Sequence, residues 1–300
     1  MSARALLVST AVVGALLCGC GAGPAAIGAG PVSAADPQLH GTTRQQPVPG
    51  SAAGVAQGIA ARWSAAGAPA LALNVPIEFR AVDYTATVFN PGSPVGFTAF
   101  ITTRRTTLVT TASAATILAS NGASARFATP ADQAMWQAAG RPSLGQAPAA
   151  GATQAIPAGQ YTFLPQGSTL TYRQAAALPA DRGSLAVVLA DHLRAYAGLH
   201  PPASMELKQV AYLIATAPLT DEVRAAAWQV MASLPGLRIC QNQPGAIGLC
   251  IDSAGDETLV NVNPDTGAIV SIADRLMQTS PAYPHVAAGT IVGSSTFLAS

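Results

Sequence analysis

The side chains best equipped for chemistry in this chain are its four cysteines and four histidines. Cys18 and Cys20 close Leu17-Cys18-Gly19-Cys20, directly after Ala5 to Leu17, a thirteen-residue apolar run that carries no charge. A thiol placed there suits acylation. Cys240 and Cys250 stand apart near the other end, where a pair suits a disulfide in an oxidising compartment, with two free buried thiols as the alternative. His40 lies in a low-complexity stretch, His200 precedes Pro201-Pro202, and His285 follows Pro284. His192 shares the apolar stripe of a helix and is expected to be a boundary residue, not a base.

Catalytic spacings are scarce. The chain has no G-x-S-x-G elbow, H-E-x-x-H helix, C-x-x-C pair or Walker-type loop, so no catalytic residue, metal or cofactor is expected. Asp191 adjoins His192, but neighbouring positions on a helix point apart, so Asp191 is poorly placed to orient it. Asp252, Asp256 and Glu257 cluster around Gly255 without the D-x-[DN]-x-[DN]-G spacing of a calcium loop, and a solvated turn is expected.

The apolar run is too short to span a bilayer and follows the basic Arg4, as in a secretory signal. With Leu-x-Gly-Cys at its end it resembles a lipobox. Residues 1–19 are therefore expected to be a lipoprotein signal peptide and Cys20 the lipid attachment point. Loss of Arg4 leaves fourteen Lys and Arg against fourteen Asp and Glu. That neutrality lacks the electrostatic footprint of nucleic-acid binding, and no basic patch is evident to hold an anionic membrane. Attachment would depend on acyl chains, each buried CH₂ contributing roughly 0.8 kcal/mol.

Residues 20–58 are rich in Gly, Ala, Pro, Ser and Gln. Such a segment buries too little to offset ordering entropy and is expected to be a disordered tether spanning on the order of 35 Å. Residues 59–300 are expected to form one domain, with regular structure from near Leu71. Ile77 to Phe89 and Val95 to Thr111 carry β-branched and aromatic residues. Asn121-Gly122 signals a hairpin between 114–120 and 123–128. Pro130 opens a short helix, residues 143–159 read as a loop, and Tyr161–Leu164 as a strand.

Three helices follow over 184–196, 204–217 and 220–234. In the last, Thr220 can cap, Asp221 and Glu222 sit at the positive end, and Pro235-Gly236 stops the run. Arg224 and Trp228 lie one turn apart, open to a cation–π contact or to simple packing of the indole. Five strands then alternate to the end. A three-residue loop at Pro244-Gly245-Ala246 would set Cys240 opposite Cys250. Both would face away from Ile239, Leu249 and Ile251. The fold class expected is α+β, a curved, half-barrel-like antiparallel sheet packed on about three helices.

Several segments occur together in a recognisable order: Trp136-Gln137-Ala138-Ala139-Gly140-Arg141-Pro142-Ser143-Leu144, Leu178-Pro179-Ala180-Asp181, Met231-Ala232-Ser233-Leu234-Pro235-Gly236 and Asn263-Pro264-Asp265-Thr266-Gly267. Together they resemble a family of uncharacterised actinobacterial exported proteins, often membrane-anchored and encoded beside sigma factors. The layout is also similar to the half-barrels of lipoprotein carriers and envelope-stress sensors. Members of that family usually carry an N-terminal transmembrane helix; with the lipobox and the scarcity of catalytic spacings, the expectation here is an extracytoplasmic, lipid-anchored protein without enzymatic activity. It would bind a lipid or lipoprotein ligand, with Phe79, Val88, Phe97 and Phe100 lining the groove, or an envelope protein partner. The alternatives are an envelope sensor in a sigma-factor system and an extracellular hydrolase using His192, His200 or His285.

Overall fold

The computed structural model describes residues 50–66, 77–90, 96–111, 114–119, 124–144, 152–156, 170–197 and 200–298. All belong to the unit Gln46–Ser300. The signal, Cys20 and most of the expected tether, as well as the strand expected at Tyr161–Leu164, lie outside the described residues.

Among the described residues, six helices and ten strands follow in chain order. Helix α1 (Ala52–Ala66) precedes strands β1 (Ile77–Phe89), β2 (Phe97–Thr111), β3 (Ala114–Ala119) and β4 (Ser124–Phe127), then α2 (Pro130–Ala138) and β5 (Ala152–Ile156). Helices α3 (Tyr172–Ala176), α4 (Arg182–Ala197), α5 (Ala203–Thr216) and α6 (Asp221–Ala232) come next. Strands β6 (Arg238–Gln243), β7 (Ala246–Ser253), β8 (Asp256–Val262), β9 (Ile269–Leu276) and β10 (Ile291–Leu298) close the chain.

All strand pairs are antiparallel and form one open curved sheet, in the order β5-β3-β2-β1-β10-β9-β8-β7-β6, with β4 also on β2. The fold is thus α+β, as its alternating strands and periodic helices imply. Strands β6 to β10 each pair with the next, a plain meander. Pairing of β10 with β1, Thr296 opposite Val82, joins this meander to the N-terminal strands.

Packing is concentrated on one face of the meander. Leu249, Ile251, Val260, Val262, Ile269 and Ile272 meet the helical layer, because alternate positions of a strand share a face. Helix α5 lies on this face through Leu207, Val210, Leu213 and Ile214. Helix α6 is buried on nearly every side, with Trp228 and Met231 fully enclosed. Its ends are set as the sequence implies, Thr220 Oγ1 accepting from the Val223 N–H. Each fully buried Leu, Ile or Met here contributes roughly 1.5–3 kcal/mol.

Three expectations are corrected. The tether does not run to residue 58: α1 begins at Ala52, buries Ala56, Ile59 and Ala60, and packs on α6. Its small residues let the two helix backbones approach, and Ala225, Ala226 and Ala227 of α6 are buried in turn. The turn expected at Asn121-Gly122 lies outside the described residues, but the described strands β3 and β4 do not pair with each other. Fifteen-residue β2 offers one long edge, on which β4 takes Ala99–Thr102 and β3 takes Thr106–Thr111. The expected loop over 143–159 contains β5, which pairs with β3 and takes up its other edge.

Candidate functional site

The Cys240–Cys250 hairpin carries the most reactive chemistry among the described residues. Gly245 adopts φ 78°, left-handed backbone that glycine takes without strain, so Pro244-Gly245 closes a two-residue turn with Gln243 opposite Ala246. The expected three-residue loop is therefore not formed. Cys240 is instead the extra residue of a bulge, between Ile239 opposite Leu249 and Gln241 opposite Gly248. The expected alignment is not formed, since Cys250 stands opposite Arg238, but the bulged Cys240 still reaches it and the two form a disulfide with Cα atoms 6.0 Å apart. As expected, the pair lies away from the helices. It packs with Leu259, Ala273 and Ile291, whereas Leu249 and Ile251 join the helix-facing core.

Beside the bridge sits Glu257, fully buried, with a carboxylate oxygen within 4.8 Å of both sulfurs. Arg275 Nη2 donates to both Glu257 oxygens, at 2.9 Å to Oε1, and Arg238 Nη2 donates to Oε1 at 3.1 Å. Arg238 also pairs with Asp252 at 2.6 Å. That Asp252 contact, first among its causes, holds the Arg238 pKa above its ordinary value. Two thiols and a carboxylate would be a zinc-type donor set, but here the sulfurs are bonded to each other. Asp256 does not join this group. Burial pushes its carboxyl pKa up, and the carboxylate of Asp274 adds to the rise. The three acidic residues of the expected turn thus divide between separate environments, and Glu257 is enclosed, not solvated.

A second cluster joins segments far apart in sequence. Asp132, fully buried on α2, accepts the Thr98 N–H at 2.9 Å, the Thr129 hydroxyl at 2.5 Å and His285 Nδ1 at 3.0 Å. Thr98 Oγ1 donates to the Pro284 carbonyl at 3.0 Å, tying the loop before β10 to β2. Burial opposes ionisation of Asp132, but bonds from Thr129, His285 and Thr98 outweigh it and hold the carboxyl below its ordinary value. The imidazole of His285 is half exposed, at 45%. Among the described residues, Asp132 is the one side chain hydrogen-bonded to it.

A third polar group bridges the helices to the sheet. Tyr212 of α5 donates to Ser295 Oγ at 2.5 Å, and Ser295 donates to Asp83 at 2.7 Å. Arg105 Nε pairs with Asp83 at 3.1 Å. One turn back on α5, Lys208 meets Asp274 at 2.5 Å, and Thr258 donates to the same carboxylate. Burial raises the Tyr212 pKa, so its phenol stays a donor.

The expected groove does not form as one surface. Phe97 is fully buried, stacked on Phe89 at 4.8 Å and set edge-on to Phe127 at 6.2 Å. Phe100 stacks on Tyr84 at 5.2 Å under Arg126 and packs with Ala86, Val286 and Val292. The two phenylalanines are three residues apart on one strand, so they point to opposite faces, each already covered by its neighbours. Val88, opposite Thr98, is half-buried. Phe79 lies in β1 opposite Thr107, and its side chain is outside the described set.

The remaining expectations resolve simply. His192 is half-buried and His200 exposed, while Asp191 pairs with Arg194 at 2.5 Å. Trp228 is packed, and Arg224 lies over Trp63 of α1, 4.7 Å from the ring centre, not over Trp228. The Trp136–Leu144 motif closes on itself: the Trp136 indole donates to the Pro142 carbonyl at 2.9 Å. Spacing could not have revealed His285 with Asp132, which are 153 positions apart. Nor could spacing reveal Glu257, which stands between Asp256 and Thr258 in a run that reads as a charged turn.

No family model, curated protein or solved structure matches this chain. The fold and clusters define an α+β domain with an open antiparallel sheet, a helical layer on one face and a disulfide on the other. No helix among the described residues is long and apolar enough to cross a membrane.

Proposed function

We propose that this chain is a non-enzymatic lipoprotein of the cell envelope, exported by residues 1–19, anchored through an acylated Cys20, and binding a protein partner outside the membrane. The observation that carries this reading is the Cys240–Cys250 bridge. Beyond Cys20 the chain has two cysteines, and they are joined, the usage expected of an oxidising compartment. Leu17-Cys18-Gly19-Cys20 supplies the anchor, and the balanced charge of the remainder argues against nucleic acid. A protein partner is favoured over an apolar ligand because Phe97 and Phe100 are covered by their own neighbours on opposite faces.

The test is mass spectrometry of protein extracted from membranes of the native host. The expected mature chain starts at Cys20 with added acyl mass, and C20A moves from the membrane fraction to the soluble one. Full-length protein in the cytosol with residues 1–19 retained would overturn the proposal.

One observation favours a second reading, an extracellular hydrolase: Asp132 holds His285 as a carboxylate holds a catalytic imidazole. Among the described residues the nearby Thr98 and Thr129 hydroxyls are not free to act as its nucleophile, since they bond to the Pro284 carbonyl and to Asp132. Loss of an esterase signal in H285A would support it.

A further inference from the structure

We propose that Cys240–Cys250 is a thiol–disulfide exchange site whose substrate is a thiol, carried by another protein or by a small molecule. The inference is independent of the lipid anchor, and it replaces the non-enzymatic part of the reading above with a redox activity at this one site.

Three observations carry it. First, the two sulfurs differ in access: Cys250 is fully buried in β7, whereas Cys240 is partly exposed in the bulge of β6, the last strand of the sheet. An attacking thiol can therefore reach one sulfur and not the other, the asymmetry that exchange requires. Second, Glu257 is buried within 4.8 Å of both sulfurs, and its two Arg contacts leave acceptor capacity on a carboxylate with about four lone-pair sites. Third, Arg238 and Arg275 both pair with Glu257, so a thiolate formed at the bridge does not face an unpaired carboxylate. The Arg275 Nε is buried without a hydrogen-bond partner, a donor still free beside the carboxylate.

Stability alone does not call for this arrangement. The bridge closes a hairpin of sequence separation 10 that the β6–β7 ladder already holds. Burying an ion cluster costs desolvation that apolar residues of similar size avoid. A carboxylate and two guanidinium groups around a disulfide suit charge and proton movement instead.

In the exchange, a substrate thiolate attacks Cys240 Sγ and breaks the S–S bond. Cys250 leaves as a thiolate and takes up a proton. A second substrate thiol then attacks the mixed disulfide, releasing Cys240 as a thiol and leaving the substrate oxidised. The bridge gains two electrons and two protons, and the two substrate thiols lose them. In reverse, with a disulfide as oxidant, Glu257 accepts the proton from the Cys250 thiol as it attacks the mixed disulfide.

The experiment uses the folded protein without denaturant. Reduced glutathione and, separately, a reduced Cys-x-x-Cys protein are added near neutral pH, and opening is followed by alkylation and peptide mass. Opening of the native bridge by either reductant, with the first adduct on Cys240, is expected. Glutathione alone succeeding assigns a small-molecule substrate, and preference for the dithiol protein a protein substrate. C250S should take glutathione from its disulfide onto Cys240 at least about tenfold faster than C240S takes it onto Cys250. E257Q should slow re-closure near pH 7 but not at about pH 9, where thiols ionise unaided. A bridge that opens only in denaturant, or adducts spread equally over both cysteines, would overturn the proposal. Wild-type peptide mapping decides the matter even if a variant does not fold.

Discussion

The two halves of the sheet are held in different ways. Strands β6 to β10 form a meander joined mostly by tight turns, and one face is pressed against α5 and α1, on which α6 packs in turn. Strands β1 to β5 carry a different surface. Strand β2 alone includes Thr98, Thr102, Thr103, Thr106 and Thr107, and its buried aromatics belong to small stacks instead of one continuous core. That half is fixed by long ladders, by the Phe97–Phe127–Trp136 contacts and by the Asp132 cluster. Sheets of one topology can thus be secured by apolar burial in one part and by directed polar bonds in another. The two should respond differently to substitution and to pH.

The largest break in the comparison comes from the helical side. W228A removes a fully enclosed indole from the centre of α6 and should cost about 3–5 kcal/mol, read as a loss of denaturation midpoint. The double variant C240A/C250A comes next, at about 2–3 kcal/mol from loop-closure entropy, with the same measurement. An unchanged midpoint would mean that the ladder alone fixes β6. G267A follows. Gly267 has φ 70°, and an added Cβ would stand 2.5 Å from Ile59 Cγ2 and 2.9 Å from Trp63 Nε1. The turn would have to shift off α1 at a cost of about 1–3 kcal/mol. Hydrogen exchange should show the loss concentrated in α1, with β1 and β2 unaffected.

What the chain reveals without coordinates follows the same division. Helices α4 to α6 and the C-terminal strands are legible because large apolar residues recur at 3.6 or 2.0 residues, and Thr220 and Gly236 mark ends of a run. Helix α1 is not: Ala56, Ile59 and Ala60 form a buried face so small that it reads as low-complexity sequence. Its packing against α6 makes sense only once the two helices are side by side. The hairpin pairing expected of 114–120 with 123–128 gave way to the unpaired length of β2, on which β3 and β4 both sit. The disulfide is legible as a pair, yet its neighbour Glu257 is not, because burial by Arg238 and Arg275 depends on three strands in register. The groove failed on strand parity, and the Asp132–His285 contact depends wholly on the tertiary fold.

The smallest expected effect sharpens the contrast most, because it separates the halves by pH. Asp132 is held below its ordinary pKa, so its ionised form stabilises the folded state. That contribution is fully present above about pH 4, the unfolded carboxylate value, and is lost as pH falls through the lower folded value. D132N keeps one acceptor oxygen but loses the charge, so it should cost about 1 kcal/mol at neutral pH. The difference between wild type and D132N should shrink as pH falls below about 4, where the unfolded carboxyl takes up a proton that the folded one resists, and it should be least once the folded group is protonated too. W228A should cost the same at both pH values, because no proton enters or leaves with an indole. Urea unfolding of the three proteins near pH 6 and again near pH 3 makes the comparison. A D132N deficit that persists unchanged into acid would show that the cluster acts through shape alone, and the two halves would then be held by the same kind of force.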